Sequence, residues 1–126
     1  MSHKLTSNKS VIYNAQTLES SYLVITCPQT TFVDQGNNGP FGGGSNEHTV
    51  NINGAIWANY SSSNQQRIDG VNYTLTESEW DTFFASQSFE SSTNYDQIQE
   101  ASLYYIQDNI PTIFGLSSSN WIYSEL

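Results

Sequence analysis

Three carboxylates crowd one short stretch of the chain, Glu77, Glu79 and Asp81 in "TESEWDTFF". Paired carboxylates are the working parts of glycoside hydrolysis, one protonating the leaving group while the other activates water or attacks. That chemistry needs the two groups on opposite sides of a cleft, in environments that push their proton affinities apart. Here all three share the start of one helix. Thr76, three residues before Glu79, completes a capping box, and acids in a first turn complement the helix dipole. Helix formation accounts for the cluster without catalysis.

Other reactive side chains are few. His3 and His48 are the only histidines and Cys27 the only cysteine. Neither histidine has a partner at ligand spacing, and no H-E-x-x-H, EF-hand or G-x-S-x-G pattern occurs. A lone cysteine makes no intrachain disulfide and no cysteine-based zinc site, and before Pro28 it reads as a small apolar packing residue. "DQGNNGPFGGGSNEH", residues 34–48, is glycine-rich. It lacks the lysine of a phosphate loop and leads into a strand-like run rather than a helix. It reads as a surface loop, with a contact role for residues 36–44 left open. No catalytic residue, metal ligand or cofactor is expected. Trp57, Trp80 and Trp121 could stack on sugars, and at helical spacing aromatics also build cores.

These residues sit in a chain of 126 with a net charge of −9, three basic residues (Lys4, Lys9 and Arg67) against twelve acids. Nucleic-acid backbones are bound by displacing counterions with Lys and Arg, and anionic membranes attract polybasic segments. So few cations exclude a basic patch, and neither nucleic acid nor membrane is an expected partner. Charged residues are only 12% and aromatics 13% of the chain. Ample aromatics at low charge point to a folded domain rather than disorder. Sequons at Asn8, Asn59 and Asn72 read as chance in an Asn- and Ser-rich chain, because "MSHKLTSNKS" lacks an apolar signal core. Synthesis in a cytosol follows.

The elements come next. Residues 1–10 are polar and aperiodic and read as a flexible arm. Apolar runs near 11–13, 22–26 and 31–33 read as short strands separated by polar clusters or Pro28. In "HTVNINGAIWANY", 48–60, Val50, Ile52, Ile56, Ala58 and Tyr60 share one parity. That favours one bent strand over a hairpin turning at Asn53-Gly54. Asp69-Gly70 reads as a two-residue turn from "QQRI" into "VNYTL", where Val71, Tyr73 and Leu75 alternate onto one face. Thr76 caps a helix, Leu75 and Trp80 form a hydrophobic staple, and Trp80, Phe83 and Phe84 share a face. A second helix runs from near Tyr95 to Asp108, capped by Asn94 with Gln97 three residues on, presents Ile98, Ala101 and Tyr105, and ends at Pro111. The expected architecture is α+β, a mostly antiparallel β-sheet of short strands followed by two C-terminal helices on one side. Residues 1–10 form a flexible N-terminal arm, 11–115 a single domain and 116–126 a C-terminal aromatic tail.

A short acidic chain, poor in Lys and Arg, rich in Ser, Asn and Tyr, with "DGVNYTL" leading into "TESEWDTFF", resembles small structural proteins of tailed bacteriophages. The likeness covers mainly residues 69–115. It implies a repeated role in a virion, as capsid decoration, neck, tail or baseplate, through contacts with other virion proteins and with copies of itself. It implies no catalytic residue. Trp121, Ile122, Tyr123 and Leu126 are the candidate assembly contacts, if the tail docks on a neighbour rather than folding back onto its own core. The alternative function is a carbohydrate- or surface-binding module working through open aromatic faces.

Overall fold

The computed structural model describes residues 3–13, 15–19, 23–34, 48–58, 66–110 and 115–125. The fold is α+β, with an antiparallel sheet and two helices. The strands are β1 (His3–Ser7), β2 (Val11–Tyr13), β3 (Gln16–Leu18), β4 (Leu23–Asp34), β5 (His48–Ala58), β6 (Gln66–Thr76) and β7 (Trp121–Glu125). Helix α1 spans Glu77–Ala85 and α2 spans Asn94–Asn109. Five strands form one sheet in the order β6-β5-β4-β1-β7, and β2-β3 is a separate hairpin.

The segment expected to be a flexible N-terminal arm is a strand inside the sheet, flanked by β4 and β7. Its alternation is His3, Leu5 and Ser7 inward, Lys4 and Thr6 half-buried. Leu5 alone among the inward residues is apolar, so the period of two does not register as hydrophobic patterning. The expected tail is also a strand. All five residues of β7 pair with β1, from His3 opposite Glu125 to Ser7 opposite Trp121.

Two expected short strands merge into the single strand β4. Its ladder with β5 skips between Thr26 and Gln29. Pro28 falls in that irregularity, where a missing N–H costs no ladder bond. β5 is the continuous strand favoured over a hairpin. Gly54 lies on its inner face because a Cβ there would stand 2.7 Å from the Val71 side chain and 2.9 Å from that of Ile106. Val71 of the neighbouring strand and Ile106 of α2 leave no room for a Cβ at this point unless one of their side chains shifts.

Asp69-Gly70 is not a turn. It lies within β6, opposite Ile56 and Ala55. The strand pairing with β5 overrides the local turn preference. Asp69 turns its carboxylate onto the Gly70 N–H, 2.8 Å away, and the ladder absorbs an extra residue between Ile56 and Trp57.

Helix α1 begins as expected. Thr76 Oγ1 accepts from the Glu79 N–H at 3.2 Å, and Glu79 accepts from the Thr76 N–H at 2.8 Å. Leu75 and Trp80, the staple pair, are both buried. Helix α2 is capped one residue earlier than expected, by Thr93 rather than Asn94. Thr93 Oγ1 accepts from the Asp96 N–H and donates to the Asp96 carboxylate. Gln97 instead reaches the Ser91 carbonyl at 3.0 Å. The helix ends at Asn109, with Ile110 extended at φ −62° and ψ 131°, as the residue before a proline prefers.

Both helices lie on one face of the sheet. Thr30 meets Ser102 of α2 at 2.7 Å, and Phe32 meets Trp80 of α1 edge-on at 5.7 Å. Between the layers sit Leu5, Ile25, Ile52, Ile56, Leu103, Ile106, Leu116 and Trp121, all fully buried.

Candidate functional site

The first candidate is an open groove of about 530 Å³ along α1, lined by Leu75, Ser78, Glu79, Thr82, Phe83, Ser86 and Tyr105. The residues from 78 to 86 recur every three or four positions, so they form one helix face. Tyr105 forms the opposite wall, edge-on to Phe83 at 5.2 Å and to Tyr73 at 5.5 Å. Burial and the neighbouring Tyr105 push the Tyr73 phenol above its ordinary value. The Glu79 carboxylate is already committed to the Thr76 amide. Among the described residues no second carboxylate lines the opposite wall. Such a groove can take an apolar side chain or an extended segment, and it lacks the facing acid pair of a glycosidase.

The second candidate is a polar cluster that the sequence reading missed because its members are far apart in the chain. His3 Nε2 lies 2.9 Å from Asp96 Oδ1, and His3 Nδ1 lies 2.7 Å from the Tyr123 hydroxyl. Nε2 donates to the Asp96 carboxylate, and Nδ1 pairs with the Tyr123 hydroxyl. The Thr93 hydroxyl, then His3, hold the Asp96 carboxyl below its ordinary value. His3 is buried, and the Asp96 side chain is 18% exposed. An Asp–His–hydroxyl line resembles a nucleophile relay in order alone. Tyr123 stacks over His3 and packs against Tyr104, and neither His3 nor Tyr123 lines the groove. The cluster works as a clamp, joining β1, β7 and the first turn of α2.

Next to it, Glu100 is fully buried. Its carboxylate accepts from the N–H groups of Glu90 and Ser91 at 2.9 Å and from the Tyr104 hydroxyl at 2.5 Å. Burial alone would raise its pKa, and the Tyr104 and backbone donors outweigh it, leaving the group below its ordinary value. Burial, then the same contact, raises the Tyr104 phenol far above its ordinary value. Glu100 fixes the α1–α2 connection to the middle of α2.

The residues singled out in the sequence fall into different places. Trp121 is fully buried, its indole N–H without an acceptor among the described residues and its carbonyl taken by Gln107. Its place in the chain's own core rules it out as an open contact. Tyr123 is half-buried in the clamp, and Ile122, opposite Thr6, is 50% exposed. Leu126, Tyr60 and the loop 36–44 lie outside the described residues. Trp80 is buried, and Trp57 is half-buried with its indole N–H donated to Thr26 at 2.9 Å. None of the three tryptophans lies fully open. Cys27 is buried, its thiol pKa raised by desolvation, and it contacts Thr30 at 3.5 Å. Burial in that state suits packing, not nucleophilic attack. Among the described residues no cluster of His, Cys, Asp and Glu has the arrangement of a metal site.

Compared with protein-family models, with curated proteins and with solved structures, the chain matches none.

Proposed function

We propose that this protein is a non-enzymatic structural component of a bacteriophage virion, acting by protein–protein contacts in a symmetric assembly as capsid decoration, neck, tail or baseplate. Its partners are other virion proteins and copies of itself, and its place is the virion after synthesis in the host cytoplasm. The supporting observation is the distribution of exposed apolar side chains. Ile12 on the β2–β3 hairpin is 73% exposed, Tyr95 at the start of α2 70%, Ile122 on the edge strand β7 50% and Phe32 on β4 46%. They belong to four separate elements, and the α1 groove adds a further apolar surface. A chain that meets several neighbours needs small contact patches on several sides, whereas a ligand-binding domain concentrates them in one pocket. The assignment to a phage particle rests on the compositional resemblance.

Purified particles from an infected lysate test the reading. Mass spectrometry should find the chain in them at a fixed multiple of the major capsid protein. Recovery of the chain only in the soluble fraction would end the virion assignment. The carbohydrate-binding alternative has no open tryptophan among Trp57, Trp80 and Trp121 to favour it.

A further inference from the structure

Strand β6 is one end of the five-stranded sheet, so among the described residues one side of its backbone has no strand beside it. In an antiparallel ladder successive residues turn their N–H and C=O alternately toward and away from the neighbour. Two contacts fix the parity here. The Gly70 N–H donates to Asp69 Oδ1 and the Thr76 N–H to Glu79 Oε1, each at 2.8 Å. Both amides therefore point off the sheet. The register with β5 is unbroken from Asp69 to Thr76, so Asn72 and Thr74 point off the sheet as well, while Val71, Tyr73 and Leu75 bond to β5. Carboxylates satisfy the outer amides at both ends and, among the described residues, leave those of Asn72 and Thr74 open between them. Residues 70–76 contain no charge, no proline and no bulge, the devices by which natural edges repel a second strand.

We propose that β6 pairs antiparallel with β6 of a second copy about a two-fold axis at Tyr73. This rests on the assembly reading above and names one of its contacts. In that register Asn72 faces Thr74 of the other copy, and Thr74 faces Asn72, which exchanges roughly four backbone hydrogen bonds across the seam. The side chains match on both faces. Val71 meets Leu75 and Tyr73 meets its own copy on the helix side, while amide meets hydroxyl on the other. The uncharged stretch is symmetric about Tyr73. A centre displaced toward β6's start brings Asp69 into the ladder, and one displaced the other way runs into the capping box.

The sheet's topology selects this arrangement over a filament. Its strands alternate in direction, and their number is odd, so β6 and β7 run the same way. Joined head to tail with its helix face kept on one side, the sheet would grow through a parallel β6–β7 pair, the less stable kind. The two-fold pairing is antiparallel and closes at two copies. It also keeps both helix layers on one side, with Tyr105, which meets Tyr73 edge-on, beside the axis.

The test uses the whole chain in sedimentation equilibrium, with hydrogen exchange read at individual amides. A dimer is expected, and the Asn72 and Thr74 amides should exchange more slowly as concentration rises. The double variant Asn72→Lys, Thr74→Lys sets like charges across both seam pairs and should weaken the dimer roughly tenfold or more. Asn72→Lys with Thr74→Glu sets opposite charges there and should restore it. Both variants change exposed side chains, and unchanged far-ultraviolet circular dichroism would show that the fold is intact. A chain that stays monomeric throughout, or a dimer indifferent to the Lys/Lys pair, overturns the proposal. So does protection of these amides only inside particles, which would make the added strand another protein's. The assembly reading fails separately. A dimer absent from particles sinks the virion assignment alone, and normal incorporation of the Lys/Lys variant sinks the seam alone.

Discussion

A buried carboxylate is the most exacting single residue in this protein. Glu100 is fully enclosed, and among the described residues its partners are hydrogen-bond donors, with no cation. A carboxylate in that setting stays ionised only while each donor is in place. Glu100→Gln keeps the shape but gives an amide donor where donors already converge, so it should lower stability by about 1.5–3 kcal/mol. Denaturant midpoints with an unchanged slope would show this, and a loss well under 1 kcal/mol would mean the site is wetter than its burial implies. The pH dependence follows from the sign of the shift. Glu100 and Asp96 both sit below their ordinary values in the folded chain. Their stabilising contribution is therefore complete above the ordinary carboxylate range near pH ~4 and is lost as pH falls through it toward the folded values. Melting temperature should be flat across neutral and mildly acid pH and then fall. Glu100→Gln should melt lower at neutral pH and fall less steeply on acidification. An equally steep acid limb in the variant would place the titration on other groups.

At the scale of elements, legibility followed how local the determining contacts are. The capping box Thr76–Glu79 and the staple Leu75–Trp80 span six residues or fewer, and α1 begins where they predict. Thr76→Ala should cost about 1 kcal/mol through loss of the cap. Trp80→Ala should cost roughly 3–5 kcal/mol, since the ring is buried against Phe32 and Phe84. Equal losses from the two in equilibrium unfolding would contradict that burial. The common parity of Val50, Ile52 and Ile56 likewise gave β5 as one strand. What the sequence hid was tertiary. Asp69-Gly70 has the composition of a turn, and only the facing strand β5 keeps it extended. β1 has one strong apolar residue, and His3 is buried because Asp96 and Tyr123, 93 and 120 residues away, satisfy both its nitrogens. No window of sequence contains that information. The groove escaped notice for the same reason: Phe83 and Tyr105 come from different helices. The functional assignment remains where the sequence left it, on composition.

At the scale of the whole fold, the first and last of its strands lie side by side. β1 and β7 are neighbours in the sheet, and the Asn8 N–H bonds to the Asn120 carbonyl at 2.9 Å. With three cations against twelve acids, the field around this body repels phosphate, and no salt-sensitive binding to random duplex DNA should be detectable by fluorescence titration at physiological ionic strength. Micromolar binding that weakens with salt would reveal a local basic surface. The last prediction concerns the C-terminal strand. Deleting 117–126 removes β7, the fully buried Trp121 and Tyr123's bond to His3. The tryptophan alone is worth roughly 3–5 kcal/mol, a large share of the ~5–15 kcal/mol that holds a domain of this size. Its loss also leaves β1 as an edge strand with His3 and Leu5 uncovered. The truncated chain should melt far lower or fail to fold, and Trp121→Ala should reproduce much of the loss. Ile122→Ser, at the half-exposed position of the same strand, should leave the melting temperature nearly unchanged. Any defect it causes in joining a particle or oligomer would then be a contact effect, separable from stability. A truncated chain with an unaltered melting temperature that no longer joins its assembly would restore the docking-arm reading and place Trp121 on a neighbour. Thermal unfolding and particle incorporation, measured on these three variants together, separate the two outcomes.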